Sequence, residues 1–128
     1  MAAARESDLL LARTHPLPDG GRARLRLART RDAEGIGALL ERCGHRADEL
    51  EVGALVRFDP RKLFVVCATR LIEGREVIVG VGAIELGEES TGEPQLLAVD
   101  HDLDGALRDL LRGALVSRAI ASAGARAA

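Results

Sequence analysis

At 128 residues the chain is sized for one domain with a real hydrophobic core, and 47% apolar with 30% charged content excludes an intrinsically disordered protein. A net charge of −2 and only two aromatic residues, Phe58 and Phe64, exclude a general binder of nucleic acid or anionic membrane. No apolar run reaches the roughly 18 residues of a membrane span, and the block Leu9, Leu10, Leu11 and Ala12 follows Glu6 and Asp8, too short and too acidic for a signal peptide. Two scattered cysteines, Cys43 and Cys67, make no disulfide framework, so a cytoplasmic protein is expected.

Residues 1–21 are polar and broken by Pro16, Pro18, Gly20 and Gly21, which predicts a flexible N-terminal arm. RARLRLAR follows, with Leu25 and Leu27 on one face and Arg24 and Arg26 on the other. This alternation predicts a half-buried strand whose arginines face water or protect an edge. In RDAEGIGALLERCG, Ile36, Leu39, Leu40 and Cys43 recur at i, i+3, i+4 and i+7, the apolar face of a helix. Thr30 or Asp32 can cap its start, and Gly44 can close its end. Cys43 on that face reads as a small buried hydrophobe, and with His45 alone it makes no metal site, because zinc needs four ligands.

ADELEVGALVRF predicts a second, shorter helix, stopped at Asp59 by the following Pro60. KLFVVCATR is a continuous apolar run of the kind found in a strand covered on both faces. A turn at Glu73-Gly74 leads into VIVGVGAIEL, where Gly80 and Gly82 predict a bulge or a close backbone contact. Residues 63–86 therefore read as an antiparallel hairpin. PQLLAV, residues 94–99, is a fourth strand, and Leu107, Leu110, Leu111, Ala114, Leu115 and Ala119 keep one face of a final helix. The domain is expected over 22–122, with a tail over 123–128. The order is β-α-α-β-β-β-α: an α/β (α+β) fold with a four-stranded, mainly antiparallel sheet and helices on both faces.

The turn VDHDLDGALRDLL admits two ligand chemistries of opposite charge. Asp100, Asp102, Asp104 and Gly105 spell the opening of a calcium loop, D-x-D-x-D-G. A complete loop needs a bidentate glutamate at position 12, where this chain has Leu111, and a helix rather than a strand before it. Asp104 is more simply an N-cap, so no metal is expected. A strand running through a glycine-bearing turn into a helix also collects free N–H groups and the positive end of a helix dipole, which suits phosphate.

The residues LRLARTRDAEGIGALLERC, LFVVCATRLIEGREVIVGVGAIEL and LLAVDHDLDGALRDLLRGALVSRA resemble the first strand and helix, the central hairpin, and the fourth strand with its cofactor helix in the GNAT N-acetyltransferase superfamily. The resemblance covers roughly 22–122, a partial fold of that family ending after the cofactor helix. It implies acetyl-CoA as cofactor, with Leu97, Ala98 and Val99 along the pantetheine arm and Gly105 in the pyrophosphate turn. Of the family pattern R/Q-x-x-G-x-G/A only Gly105 matches; Asp104, Leu107 and Asp109 replace the other residues, and a leucine there is expected to obstruct the phosphate. Asp100, Asp102, Asp104 and Asp109 add repulsion, roughly 3 kcal/mol for one pair of like charges at about 5 Å and an effective dielectric near 20. Among catalytic groups the chain has no tyrosine to protonate a leaving thiolate. Glu85 is the candidate general base for an amine, and it reads equally as a strand-end residue facing water.

Two functions are therefore expected to compete, with a calcium-binding loop at 100–105 as a minor alternative. One is a degenerate, non-catalytic GNAT-related module, without cofactor, that binds or dimerises through strand 94–99 as a homodimer or with a protein partner. The other is an active acetyl-CoA-dependent N-acyltransferase. Neither involves nucleic acid or a membrane.

Overall fold

The computed structural model describes residue 11 and residues 13–46, 48–87, 92–100 and 104–127. Five strands lie side by side in chain order: β1 (Thr14–Pro16), β2 (Arg22–Leu27), β3 (Leu63–Ile72), β4 (Arg75–Glu85) and β5 (Gln95–Val99). Each pair is antiparallel. Among the described residues three helices pack on the sheet: α1 (Ala33–Arg42), entered through a 3-10 turn at Thr30–Asp32, α2 (Glu49–Val56) and α3 (Asp104–Ala127). Among the described residues no helix is long and apolar enough to cross a membrane.

The sheet thus has five strands, not the four expected. The addition is β1, drawn from the stretch read as an arm: Thr14 pairs with Arg24 and Pro16 with Arg22, and Leu17 beyond it is buried. Three residues ending in proline carry no readable alternation, so only backbone pairing to β2 defines this edge.

Helices cover both faces, and β3 shows why its sequence is apolar throughout. Phe64, Val66 and Ala68 join the core beneath α3, whereas Val65 and Cys67 join the core beneath α1 and α2. The inner face of α3 is Leu107, Leu111, Ala114 and Leu115, all fully buried. The hairpin turns at Glu73 (φ 51°) and Gly74 (φ 79°), the paired left-handed conformations of a two-residue hairpin loop.

The expected irregularity at the VGVG stretch is present. Thr69 pairs with Ile78 and Ala68 with Gly80, so Val79 is the extra residue of a β-bulge. A Cβ on Gly80 would lie 3.0 Å from Leu111 Cδ1, so the missing side chain lets α3 settle on the sheet.

Gly44 (φ 81°) ends α1: His45 N–H donates to Leu40 O at 2.8 Å and Gly44 N–H to Glu41 O at 3.0 Å. The start of α1 differs from expectation. Asp32 makes no side-chain cap on it; its Oδ2 instead accepts from Arg29 N–H at 2.7 Å, bracing the preceding 3-10 turn. Asp48 caps α2 by accepting from Leu50 N–H at 2.9 Å.

Candidate functional site

The sequence places its site residues along β5 and just after it. Val99 pairs with Gly80 and Ala98 with Val81, but Leu96 pairs with Gly82, which makes Leu97 the extra residue of a second bulge. The end of β5 is fastened from two sides. Asp100 N–H donates to Val79 O at 2.9 Å, and the thiol of Cys43 donates to Val99 O at 3.4 Å. Arg42 stands 3.5 Å from Asp100 and donates to Ile78 O at 2.9 Å. The last residues of α1 therefore hold β5 against β4. Cys43 carried a signal, its place on the apolar helix face; Arg42 carried none, because its partners lie far along the chain.

These contacts change two of the arguments about the turn. Asp100 has Arg42 at 3.5 Å, so a cation stands beside one of the aspartates of the turn. Leu107 is 0% exposed and belongs to the core under the sheet, so it does not obstruct the start of α3. That expectation is corrected: position 107 lies on the buried stripe of the helix, one turn from Leu111. Gly105 is exposed, with nothing within 4 Å of where its Cβ would be. Asp109 is exposed one turn further on. Asp102 and the Asp104 side chain, and with them the calcium motif and the expected cap, lie outside the described residues. Among the described residues no group of three His, Cys, Asp or Glu side chains is placed to hold a metal.

Glu85 is exposed at the end of β4, in register with Leu63. It lines a cavity of about 120 Å³ with Leu55, Leu63, Ala83, Glu93 and Leu97. The structure thus brings together the candidate base and one residue of the candidate cofactor strand, and adds Leu55 from α2. It does not gather the whole set. Ala83 pairs with Gln95 and Gly80 with Val99, so Glu85 lies toward the start of β5, while Val99 and Gly105 lie at its other end. At about 120 Å³ the cavity is well below the roughly 300–1,000 Å³ of sites for sizeable ligands.

A cofactor with a pyrophosphate would need cationic or N–H donors at the start of α3. Of the described side chains nearby, Arg42 donates to Ile78 O and stands by Asp100, the cation Arg108 is exposed, and Asp109 beside it repels an anion. The turn that would supply those donors, residues 101–103, lies outside the described residues, and no step through acetyl-CoA is derived.

A buried polar cluster lies at the α1 side of the sheet, unforeseen in the alternating pattern of β2. Arg26 is 9% exposed, not solvated as expected. Its guanidinium meets Asp32 in two hydrogen bonds, 2.7 and 2.8 Å long, and Glu76 Oε1 at 2.7 Å; Thr69 Oγ1 donates to Glu76 at 3.3 Å. Arg24, two residues earlier, is exposed as expected. The cluster ties β2, β4 and the entry to α1 and leaves no reactive group free.

The fold and this edge geometry define an α+β domain of the GNAT-like class. The GNAT domain of S. lividans PAT, solved by crystallography, matches with a TM-score of 0.60 at 20% identity, over 84% of this chain and 73% of that one. No family model matches the sequence, and no curated protein matches it. The chain has a GNAT-like fold.

Proposed function

We propose that this GNAT-like domain is a non-catalytic binding module that associates through the edge of β5, as a homodimer or with a protein partner that extends the sheet. The observation carrying this reading is the position of β5: it is the last strand of the sheet, paired only with β4 among the described residues, with Leu96 and Leu97 half-buried. An edge strand offers unpaired N–H and C=O groups and invites a further strand. The aspartates about the start of α3 and the small volume beside Glu85 support a domain that does not hold acetyl-CoA or turn over an amine.

Light scattering at tens of micromolar is expected to give the dimeric mass, or the monomeric mass in the absence of a partner whose capture depends on residues 95–99. Calorimetric titration with acetyl-CoA is expected to show no saturable binding; a dissociation constant in the low micromolar range would restore the transferase reading. Because Leu107 is core, the informative gain-of-binding variant keeps it and combines Asp104→Arg with Asp109→Gly. Recovery of CoA binding by that pair would identify charge as the obstacle.

A further inference from the structure

The edge of the sheet opposite β5 carries a second open surface. Thr14, Arg24 and Thr69 stand in one row across β1, β2 and β3. The groove above them, about 420 Å³, is completed by Arg22, Leu71 and Glu76. Arg22 and Arg24 are exposed, and neither side chain makes an ion pair or hydrogen bond among the described residues. Glu76 also lines the groove; Arg26 engages both its carboxylate oxygens, but Asp32 shares that one cation, so Glu76 offsets part, not all, of the charge of Arg22 and Arg24. At the far end Leu71 is 75% exposed, a large apolar side chain in water in the same groove as the two arginines.

The spacing selects the partner. Residues two apart on a strand share a face and lie about 6.5–7 Å apart. An extended peptide presents its alternate side chains at the same interval. No aromatic side chain lines the groove, so nucleic-acid bases would find no stacking platform. We infer that the groove docks an extended acidic segment of a partner protein, with carboxylates at alternate positions on Arg22 and Arg24 and an apolar residue against Leu71. The inference is independent of the β5 edge.

The probe is a fluorescein-labelled decapeptide alternating glutamate and valine, followed by anisotropy at low salt. Binding is expected to saturate and to weaken as salt is added, since the pairs are exposed. The double variant Arg22→Glu with Arg24→Glu is expected to lose about ten-fold or more in affinity with an unchanged melting temperature, and to prefer the lysine–valine peptide. If that variant does not fold, Arg22→Gln with Arg24→Gln replaces it, with the same direction of effect. Equal binding of a glutamine–valine peptide, or no effect of either double variant, would overturn the proposal. Tighter binding of an oligothymidine of the same length would overturn it in favour of nucleic acid.

Discussion

Leu115 of α3 closes directly onto Gly82 of β4. A Cβ on Gly82 would lie 3.0 Å from Leu115 Cδ1, 3.2 Å from Leu96 Cδ2 and 3.3 Å from Gln95 O. The last of these contacts is backbone and cannot rotate away. Gly82 therefore sets how closely α3 and the edge strand β5 approach β4.

Gly82→Val is expected to destabilise the domain by about 1–3 kcal/mol through overpacking. Gly105→Ala, exposed and with open space around it, is expected to be neutral or to stabilise by up to about 1 kcal/mol from helix propensity. Urea unfolding of the two variants measures the contrast, and equal effects would contradict the packing described.

Asp32→Ala is expected to cost about 3 kcal/mol or more in urea unfolding, because it strips one partner from a buried charge pair. The double variant Arg26→Met with Asp32→Leu is expected to recover much of that loss, since no buried charge is left exposed to desolvation. A double variant no more stable than Asp32→Ala would show that Arg26 retains its partners through Glu76 alone.

The same cluster sets an acid limit. Burial resists the charge on Asp32, but the bonds from Arg26 and the Arg29 amide outweigh it and hold the carboxyl below its ordinary value. The Arg26 bond lowers Glu76 likewise. Both groups are ionised in the unfolded chain above about pH 4–5, so their stabilisation is complete there and is lost as pH falls through the lower folded values. The melting temperature is expected to drop on acidification below about pH 4. The drop should be shallower in Asp32→Asn, and an identical pH profile would remove the cluster from the account.

Cys67 is buried at the centre of β3, and burial pushes its thiol up to about 12. It is therefore neutral and shielded at pH 8. A thiol reagent is expected to label no more than Cys43 in the native protein and both cysteines after unfolding. Rapid labelling of Cys67 in native protein would contradict its burial.

The elements that could be read from the chain are those whose signal is local. The i, i+3, i+4 spacing of Ile36, Leu39 and Leu40, the Glu73-Gly74 turn and the closing Gly44 each state a requirement met within a few residues. The apolar run through β3 is legible because both its faces are covered. β1 was not legible: its three residues are a strand only because β2 lies beside them.

The candidate site follows the same division. Its residue types, Glu85 beside a strand and Gly105 beside a helix start, are visible in the chain. Their grouping is not, since the register of β4 on β5 puts Glu85 near Leu97 and leaves Gly105 at the other end. Arg26 looked like Arg24 because alternation records which face a side chain takes, not what covers that face. Glu76, fifty residues away, and Asp32 bury it.

By itself the sequence determined the element types and their order from β2 onward, because hydrophobic period and turn chemistry are short-range; β1 it did not determine. It also determined the acidity of the turn before α3, a matter of composition. Tertiary structure alone decided which of those groups are free. It turned Leu107 into the core, set Arg42 against Asp100, buried Arg26 and left Arg22 and Arg24 open, because pairing and burial depend on neighbours brought together only by the fold.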